Sequence, residues 1–239
     1  MKDRPLRIVS ITDMHGDSTL INAVIDRAGE VEVMLVTGDL THFQGAKEAR
    51  TLLSQARRRL KHVWAVPGNC DLPEVLHWLE EEGLSLHGCH KTLHGVAFLG
   101  AGKSLPSWGN TPNEVSEDGA FASILDRAIA GIEQHTPRVL VTHQPPFGTR
   151  NDLVGPGKHR GSQAIRHFIE RHQPLASFCG HIHEAQGVDR IGFTQVVNPG
   201  PLREGNFAWA EIQDGTLRVE IRSVHEKRQD RCVLSCLIM

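Results

Sequence analysis

Short apolar runs that stop at a polar, ligand-type residue, alternating with amphipathic stretches, constrain this chain more than any other feature. The stretch Val31 to Asp39 is the plainest case. It is rich in Val, Met and Leu and stops at Gly38 and an acid. Such a run reads as a buried strand. Asp39 alone fits a turn as readily as a site, because Gly and Asp both favour turns. The pattern recurs four times. Leu6 to Thr12 leads into Asp13-Met14-His15-Gly16-Asp17, and Val63 to Val66 into Pro67-Gly68-Asn69-Cys70-Asp71. Arg138 to Thr142 delivers His143-Gln144-Pro145-Pro146, and Leu175 to Cys179 delivers Gly180-His181-Ile182-His183.

The intervening stretches keep helical periodicity. Ser18 is placed to cap a helix with Leu20, Ile21, Val24, Ile25 and Ala28 on one face. A second carries Ala46, Ala49, Leu52, Leu53, Ala56 and Leu60, and Pro73 suits the first turn of a third that Gly83 closes. Two more follow, one with Phe121, Ile124, Leu125, Ala128 and Ile132, the other capped by Ser162 and carrying Phe168 and Ile169. Alternation of this kind predicts an α/β fold, with a largely parallel sheet covered by helices. Residues 91–99 read as a hairpin turning at His94-Gly95. Everything after the strand at 175–179 reads as antiparallel, with an Asp214-Gly215 turn joining Phe207–Ile212 to Leu217–Ile221. Gly100 to Asp118, with Pro106, Trp108 and Pro112, is a polar loop of little periodicity. Its Gly102-Lys103-Ser104 is no phosphate loop, since Ala97 stands where the first Gly is needed and Pro106 blocks a helix opening at Ser104.

Composition removes several function classes. The 239 residues carry a net charge of −2 and a pI near 6.7, so no basic field argues for a stable nucleic-acid complex. The run Arg57-Arg58-Arg59-Leu60-Lys61 ends a helix, where cations suit the dipole. Five cysteines (70, 89, 179, 232, 236) are odd in number and irregularly spaced, which predicts a reducing, cytoplasmic setting. No apolar span of membrane length appears, and the N-terminus has no signal-like core. Cys236-Leu237-Ile238-Met239, with Lys227 and Arg228 upstream, fits a prenylation pattern, the one feature that would bring the chain to a membrane. Residues 1–223 read as one domain and 224–239 as an appended tail. Fifteen histidines against eight Phe and no Tyr hint at metal chemistry.

The five strand ends, taken together, sharpen that hint. Each has an ordinary reading: aspartates cap helices, Asn69 follows a turn Gly, and a lone His usually packs. A carboxylate, imidazole or carboxamide at every one of them points to a shared site, since open α/β sheets bind ligands at the carboxyl ends of strands. Mixed oxygen and imidazole donors suit Mn, Fe or Zn more than Mg alone. Asp13 and His15 are two apart, as are His181 and His183, so in extended chain each pair would share a side.

In this order, Asp13-x-His15, Gly38-Asp39, Gly68-Asn69-x-Asp71, His143 and Gly180-His181-x-His183 resemble the calcineurin-like metallophosphoesterase superfamily. The likeness runs from about residue 6 to about 222. Phe147 through Ser162 and Asn198-Pro199-Gly200-Pro201 further resemble its small Icc-related branch. The resemblance implies a four-layer αββα sandwich, two stacked mixed β-sheets flanked by helices, with two divalent cations at the strand ends, manganese first and iron or zinc as alternatives. It implies Asp13, His15, Asp39 and His183 as ligands of one cation and Asp39, Asn69, His143 and His181 as ligands of the other, Asp39 bridging both. The implied activity is hydrolysis of a phosphodiester, or also a monoester, of a small molecule or nucleotide, by in-line attack of a metal-bridging hydroxide.

One residue departs from the pattern. Many members carry His after the Gly-Asn, and this chain has Cys70, a poor proton donor that near metals would tend toward thiolate. His42 or His159 could take over as the leaving-group acid. Arg150, Lys158 and Arg160 in the loop after His143 could neutralise a phosphate. The alternative is a non-catalytic scaffold that keeps the fold, against which stands the full set of seven ligand positions. A metallo-β-lactamase-type reading of His181-x-His183 fails, because Glu184-Ala185-Gln186 lacks the Asp-His that must follow. Oligomeric state is left open.

Overall fold

The computed structural model describes residues 4–107 and 109–226. Trp108, Lys227, Arg228, Cys232 and the Cys236-Leu237-Ile238-Met239 pattern lie outside the described residues.

Two sheets stack face to face. The first has the order β11-β10-β1-β2-β3, built from β1 (Leu6–Ile11), β2 (Val33–Thr37), β3 (His62–Val66), β10 (Asn206–Gln213) and β11 (Thr216–Ser223). The second runs β4-β5-β6-β7-β9-β8, from β4 (His90–Leu93), β5 (Val96–Ala101), β6 (Arg138–Thr142), β7 (Ala176–Phe178), β8 (Gly187–Ile191) and β9 (Thr194–Asn198). Helices α1 (Ile21–Ala28), α2 (Ala46–Arg59) and α3 (Pro73–Glu81) cover the first sheet, and α4 (Gly119–Ile129) and α5 (Gln163–His172) the second.

Side-chain alternation builds the layers. Along β1, Val9 and Ile11 face the helices while Leu6 and Ile8 face the other sheet. In β2, Met34 and Val36 point outward to α1 and α2, and Val33 and Leu35 point inward toward Phe98, Val139 and Phe178. Strands covered on both faces lose polar alternation, which is why β2 reads as an unbroken apolar run. Parallel pairing of β1, β2 and β3, and of β5, β6, β7 and β9, aims their carboxyl ends the same way. The site therefore draws on strand ends from two sheets, where the alternation alone predicts one.

Several local expectations change. Ser18 caps nothing: α1 begins at Ile21 with Leu20 at its cap, and the Ser18 carbonyl accepts the Ile21 N–H instead. The strand before Asp39 starts at Val33, not Val31, and α4 stops at Ile129, short of Ile132. The C-terminal part is not wholly antiparallel. β9 pairs parallel with β7 and antiparallel with β8, an edge strand whose mixed Gly187-Val188-Asp189-Arg190-Ile191 gave no strand signal. Other local rules held. Pro73 opens α3, the Ser162 hydroxyl accepts the Ile165 N–H at 3.0 Å, and His94 and Gly95 turn the β4–β5 hairpin with φ of 47° and 73°.

The polar loop 102–118 is fixed by side-chain hydrogen bonds rather than by periodicity. Glu114 Oε1 accepts from the N–H and hydroxyl of both Ser107 and Thr111. Asn113, buried, donates its backbone N–H to the Asn69 carbonyl (3.1 Å) and Nδ2 to the Gly68 carbonyl (3.0 Å). The loop thus grips the turn that presents Asn69.

Candidate metal centre

The loops after β1 and β2 zip together before any side chain is considered. Asp13 N–H donates to Gly38 C=O, His15 N–H to Asp39 C=O at 2.9 Å, and Gly16 N–H to Leu40 C=O. Asp13, His15 and Asp39 adopt φ of 51°, 46° and 49°, and His181 has 68°. These are left-handed conformations, so neither Asp-x-His nor His-x-His is extended, and sharing of sides by strand alternation does not apply. Each such turn costs about 1–2 kcal/mol in a non-glycine residue and persists because the surrounding structure holds it.

That backbone brings four side chains together. His15 Nε2 lies 3.2 Å from His183 Nε2, 3.7 Å from Asp39 Oδ2 and 3.9 Å from Asp13 Oδ1. His183 Nε2 is 3.4 Å from Asp13 Oδ1. Beside them stands a second group. His143 Nε2 faces Asn69 Oδ1 at 2.8 Å and Asp39 Oδ1 at 3.5 Å, and the His181 ring meets His143 edge-on at 5.0 Å. Asp39 touches both groups, one oxygen toward each.

Two features of this arrangement fit cations. Asp13 Oδ1 is buried with no hydrogen-bond partner, although imidazole nitrogens converge on it. His143 Nδ1 is 2.8 Å from the Thr37 carbonyl, which only accepts, so Nδ1 carries the proton. Its Nε2 then faces Asn69 Oδ1 at 2.8 Å and Asp39 Oδ1 at 3.5 Å, so one nitrogen and two oxygens of metal-ligand type converge. Donor atoms of these types gathered in a buried site suit a metal, and a second imidazole nitrogen bound to a carbonyl is the usual way a ligand ring is oriented.

Charge is balanced accordingly. Burial works against ionisation of Asp13, but the His183 imidazole 3.4 Å away and the proximity of His143 prevail and hold its carboxyl well below the usual range. Burial and the neighbouring His143 push His181 down to about 4, and burial also lowers His15, keeping both in the neutral form that binds metals. His183 is raised by the neighbouring Asp13 carboxylate. By the protein's own charges, burial and then Asp39 push the Cys70 thiol upward.

Close backbone approach makes the convergence possible. A Cβ on Gly68 would sit 2.0 Å from Asp39 Oδ1, and one on Gly180 would sit 1.9 Å from Thr12 Oγ1. Asp71, part of the sequence motif but given no task there, is the main strut. Its Oδ1 accepts from the Thr41 N–H and hydroxyl, and its Oδ2 from the N–H groups of Leu40 and Gly68, tying the end of β2 to the end of β3. Burial and Asp39 push it up to about 6. Thr12 Oγ1 donates to Asp13 Oδ2, Cys70 N–H to Asp39 Oδ1, and Asn198 Nδ2 to the carbonyl of Ile182, between the two histidines.

The remaining sequence candidates occupy different places. His42 is exposed beside the centre, its ring 5.7 Å from that of His15. His159 Nδ1 is engaged by Asp152 Oδ1 at 2.7 Å, and Asp152 also collects the N–H groups of Gly148, Thr149 and Gly161, so this carboxylate organises the loop. The Arg150 guanidinium lies against Gly187, and Lys158 and Arg160 are exposed on the same loop. Among the described residues, none of Arg150, Lys158, His159 and Arg160 bonds to the seven converging side chains. Sequence reading missed Arg203, an exposed cation close enough to His183 to oppose its protonation. It sits just past Asn198-Pro199-Gly200-Pro201, and that motif was the available signal.

Comparison with known proteins agrees with this geometry. The calcineurin-like phosphoesterase superfamily domain matches residues 6–220. An uncharacterised protein of Methanocaldococcus jannaschii is 38% identical over 200 residues, 82% of this chain and 88% of its own. The crystal structure of a Thermus thermophilus protein shares the fold with a TM-score of 0.69 at 19% identity, over 92% of this chain and 100% of that one. A structure of an archaeal phosphodiesterase gives a TM-score of 0.51 at 13% identity, over 91% and 100%. With the matched span running from β1 into β11, the chain belongs to the calcineurin-like phosphoesterase superfamily.

Proposed function

We propose that this protein is a dinuclear metal-dependent phosphodiesterase acting on a small phosphorylated molecule or nucleotide. The observation that carries the reading is the convergence of His143 Nε2, Asn69 Oδ1 and Asp39 Oδ1, with the His143 ring oriented by the Thr37 carbonyl, next to the unpartnered Asp13 oxygen. Asp13, His15, Asp39 and His183 would hold one divalent cation, and Asp39, Asn69, His143 and His181 the other, with manganese first and iron or zinc as alternatives. When bound, such cations polarise phosphoryl oxygens and acidify water enough for it to attack phosphorus at neutral pH.

The chain's own groups divide the remaining work. Asp39 orients both halves of the site through its two oxygens. Asn69 presents its carboxamide oxygen beside His143 and is positioned to steer the ester. Arg203, next to His183, and the loop cations Arg150, Lys158 and Arg160 supply positive charge for the phosphate. Cys70, a thiol pushed upward, is unsuited to protonating a leaving group. His42 is the better-placed donor, being exposed beside His15, whereas His159 is already committed to Asp152. An active site without a strong acid at position 70 favours diesters and activated esters, in keeping with the archaeal phosphodiesterase whose fold it shares. We place the protein in the cytoplasm; Cys70, Cys89 and Cys179 are free thiols, and no described helix is long and apolar enough to cross a membrane.

The test is hydrolysis of bis-p-nitrophenyl against mono-p-nitrophenyl phosphate by metal-stripped protein titrated with Mn, Zn and Mg. Diester turnover with Mn is expected. Stoichiometric metal binding without hydrolysis of either ester would sink the enzyme reading, and a monoester preference would overturn the diester assignment alone.

A further inference from the structure

The rim of the metal centre carries a residue that the ligand set does not explain. Phe43 follows His42 in the loop between β2 and α2 and is 44% exposed. Its backbone is left-handed, with φ of 57°. For a bulky aromatic residue both features are unfavourable: apolar surface faces water, and the backbone occupies a region that glycine or asparagine tolerates far better. Among the described residues, the one ring contact that Phe43 makes is with His42, centroids 4.6 Å apart.

Hydrogen bonds hold the loop in this conformation. Phe43 N–H donates to the Cys70 carbonyl at 3.0 Å, and the Thr41 hydroxyl bonds both Asp71 and the Gln44 carbonyl. The same strut that positions the metal loops therefore fixes the orientation of Phe43. His42 bridges inward, its ring 5.7 Å from that of the ligand-type His15. An aromatic strip thus leads from the metal centre to an outward-facing ring. Phe193, the other large apolar side chain exposed among the described residues, sits instead at the β8–β9 turn with its N–H on Gln173. Backbone strain in non-glycine residues clusters at active sites and ligand clamps.

We infer that Phe43 is a specificity-determining residue, a platform on which a planar aromatic group of the phosphoester, a nucleobase in particular, stacks while its phosphate lies at the metal centre. This deepens the proposed function and rests on its placement of the phosphate. A nucleobase fits because it offers a π-face to Phe43, and stacking on an aromatic ring accepts any base. Among the described residues, the rim's other aromatic group, His42, extends the same surface.

Binding of AMP and of ribose 5-phosphate to the Mn-loaded full-length protein, measured by calorimetry, tests this without relying on turnover. The two ligands share the ribose phosphate and differ at C1′, where AMP carries the base and ribose 5-phosphate a hydroxyl. Stacking of a base on an aromatic side chain is worth about 5- to 150-fold in affinity, so AMP is expected to bind about tenfold or more tightly. Phe43→Gly and Phe43→Asn, both tolerant of the left-handed backbone, should bring the ratio close to one, leave ribose 5-phosphate within about twofold, and melt no lower than the native protein. Equal affinities in the native protein, failure of both ligands to bind, or a preference kept in either variant would overturn the platform. Base-dependent binding through Phe43 without hydrolysis of any ester would instead defeat the hydrolase reading and leave the platform standing.

Discussion

Replacing Gly68 by Ala separates the packing of the metal loops from the chemistry they carry. Gly68 does not lie in the left-handed region, so alanine suffers no backbone penalty there and the effect is purely steric. Its Cβ would stand 2.0 Å from Asp39 Oδ1 and 2.2 Å from the Asp39 backbone nitrogen. Restoring ordinary contact at 3.4 Å requires Asp39 or the Gly68 turn to retreat by about 1.2 Å at the backbone. The side chain cannot absorb this by rotating, because the clash includes the main chain and Cys70 N–H anchors Oδ1 at 2.8 Å. Overpacking of this kind costs about 1–3 kcal/mol, and displacement of a reacting group by about 1 Å costs about 100-fold in rate. Urea denaturation of the metal-free protein should show that loss with an unchanged m-value, and titration should show fewer Mn ions bound per chain. Native stability together with native Mn affinity in Gly68→Ala would refute the claim that close approach of these loops builds the site.

Other perturbations probe other parts of the account. Asn113→Ala removes the donor to the buried Gly68 carbonyl and should cost about 1–3 kcal/mol in urea denaturation; an effect below about 0.5 kcal/mol would mean the polar loop does not brace the Asn69 turn. His87 accepts the Gly102 N–H through Nδ1 and is pushed down from 6.5 to about 4, by burial first and then by Lys103 and Arg127. The folded protein therefore binds fewer protons at this site than the unfolded chain between those pH values, so stability is complete above pH 6.5 and falls as pH drops toward 4. In His87→Asn, whose amide oxygen can accept without titrating, the stability difference from native should change by about 2 kcal/mol between pH 7.5 and 5; a pH-independent difference would refute the assignment. Cys70→His restores an imidazole near the leaving-group side and should raise monoester turnover at least tenfold, within the about 100-fold or more available to general acids; no rise would show that the missing acid does not limit the reaction.

The architecture was legible because each layer leaves a periodic trace: double-faced burial writes β2 as an apolar run, and one-faced burial writes α2 as a stripe. Local chemistry marked Pro73, Ser162 and His94-Gly95 for the same reason, since their tasks involve only near neighbours. What failed to show depends on groups far apart in the chain. Division of the five strand ends between two sheets is a pairing fact, and β8 pairs on one edge with a sequence too polar to announce itself. The Asp-x-His and His-x-His spacings were visible, but the left-handed turns that aim them were not, because the strain is held by loops from other strands. Asp71 and Asn113 brace the site through contacts 30 and 45 residues away, and no local pattern encodes that. Ser18 failed as a cap because the backbone turns once more before α1 starts.

Asp39 carries the central claim, since it alone among the converging residues turns one oxygen to the His15 group and the other to the His143 group. Elemental analysis of Mn-loaded Asp39→Asn, beside His15→Ala and the native protein, tests it directly. Two ions are expected in the native chain, one retained after His15→Ala, and weakened binding of both after Asp39→Asn. Two ions held by Asp39→Asn at native affinity would contradict it.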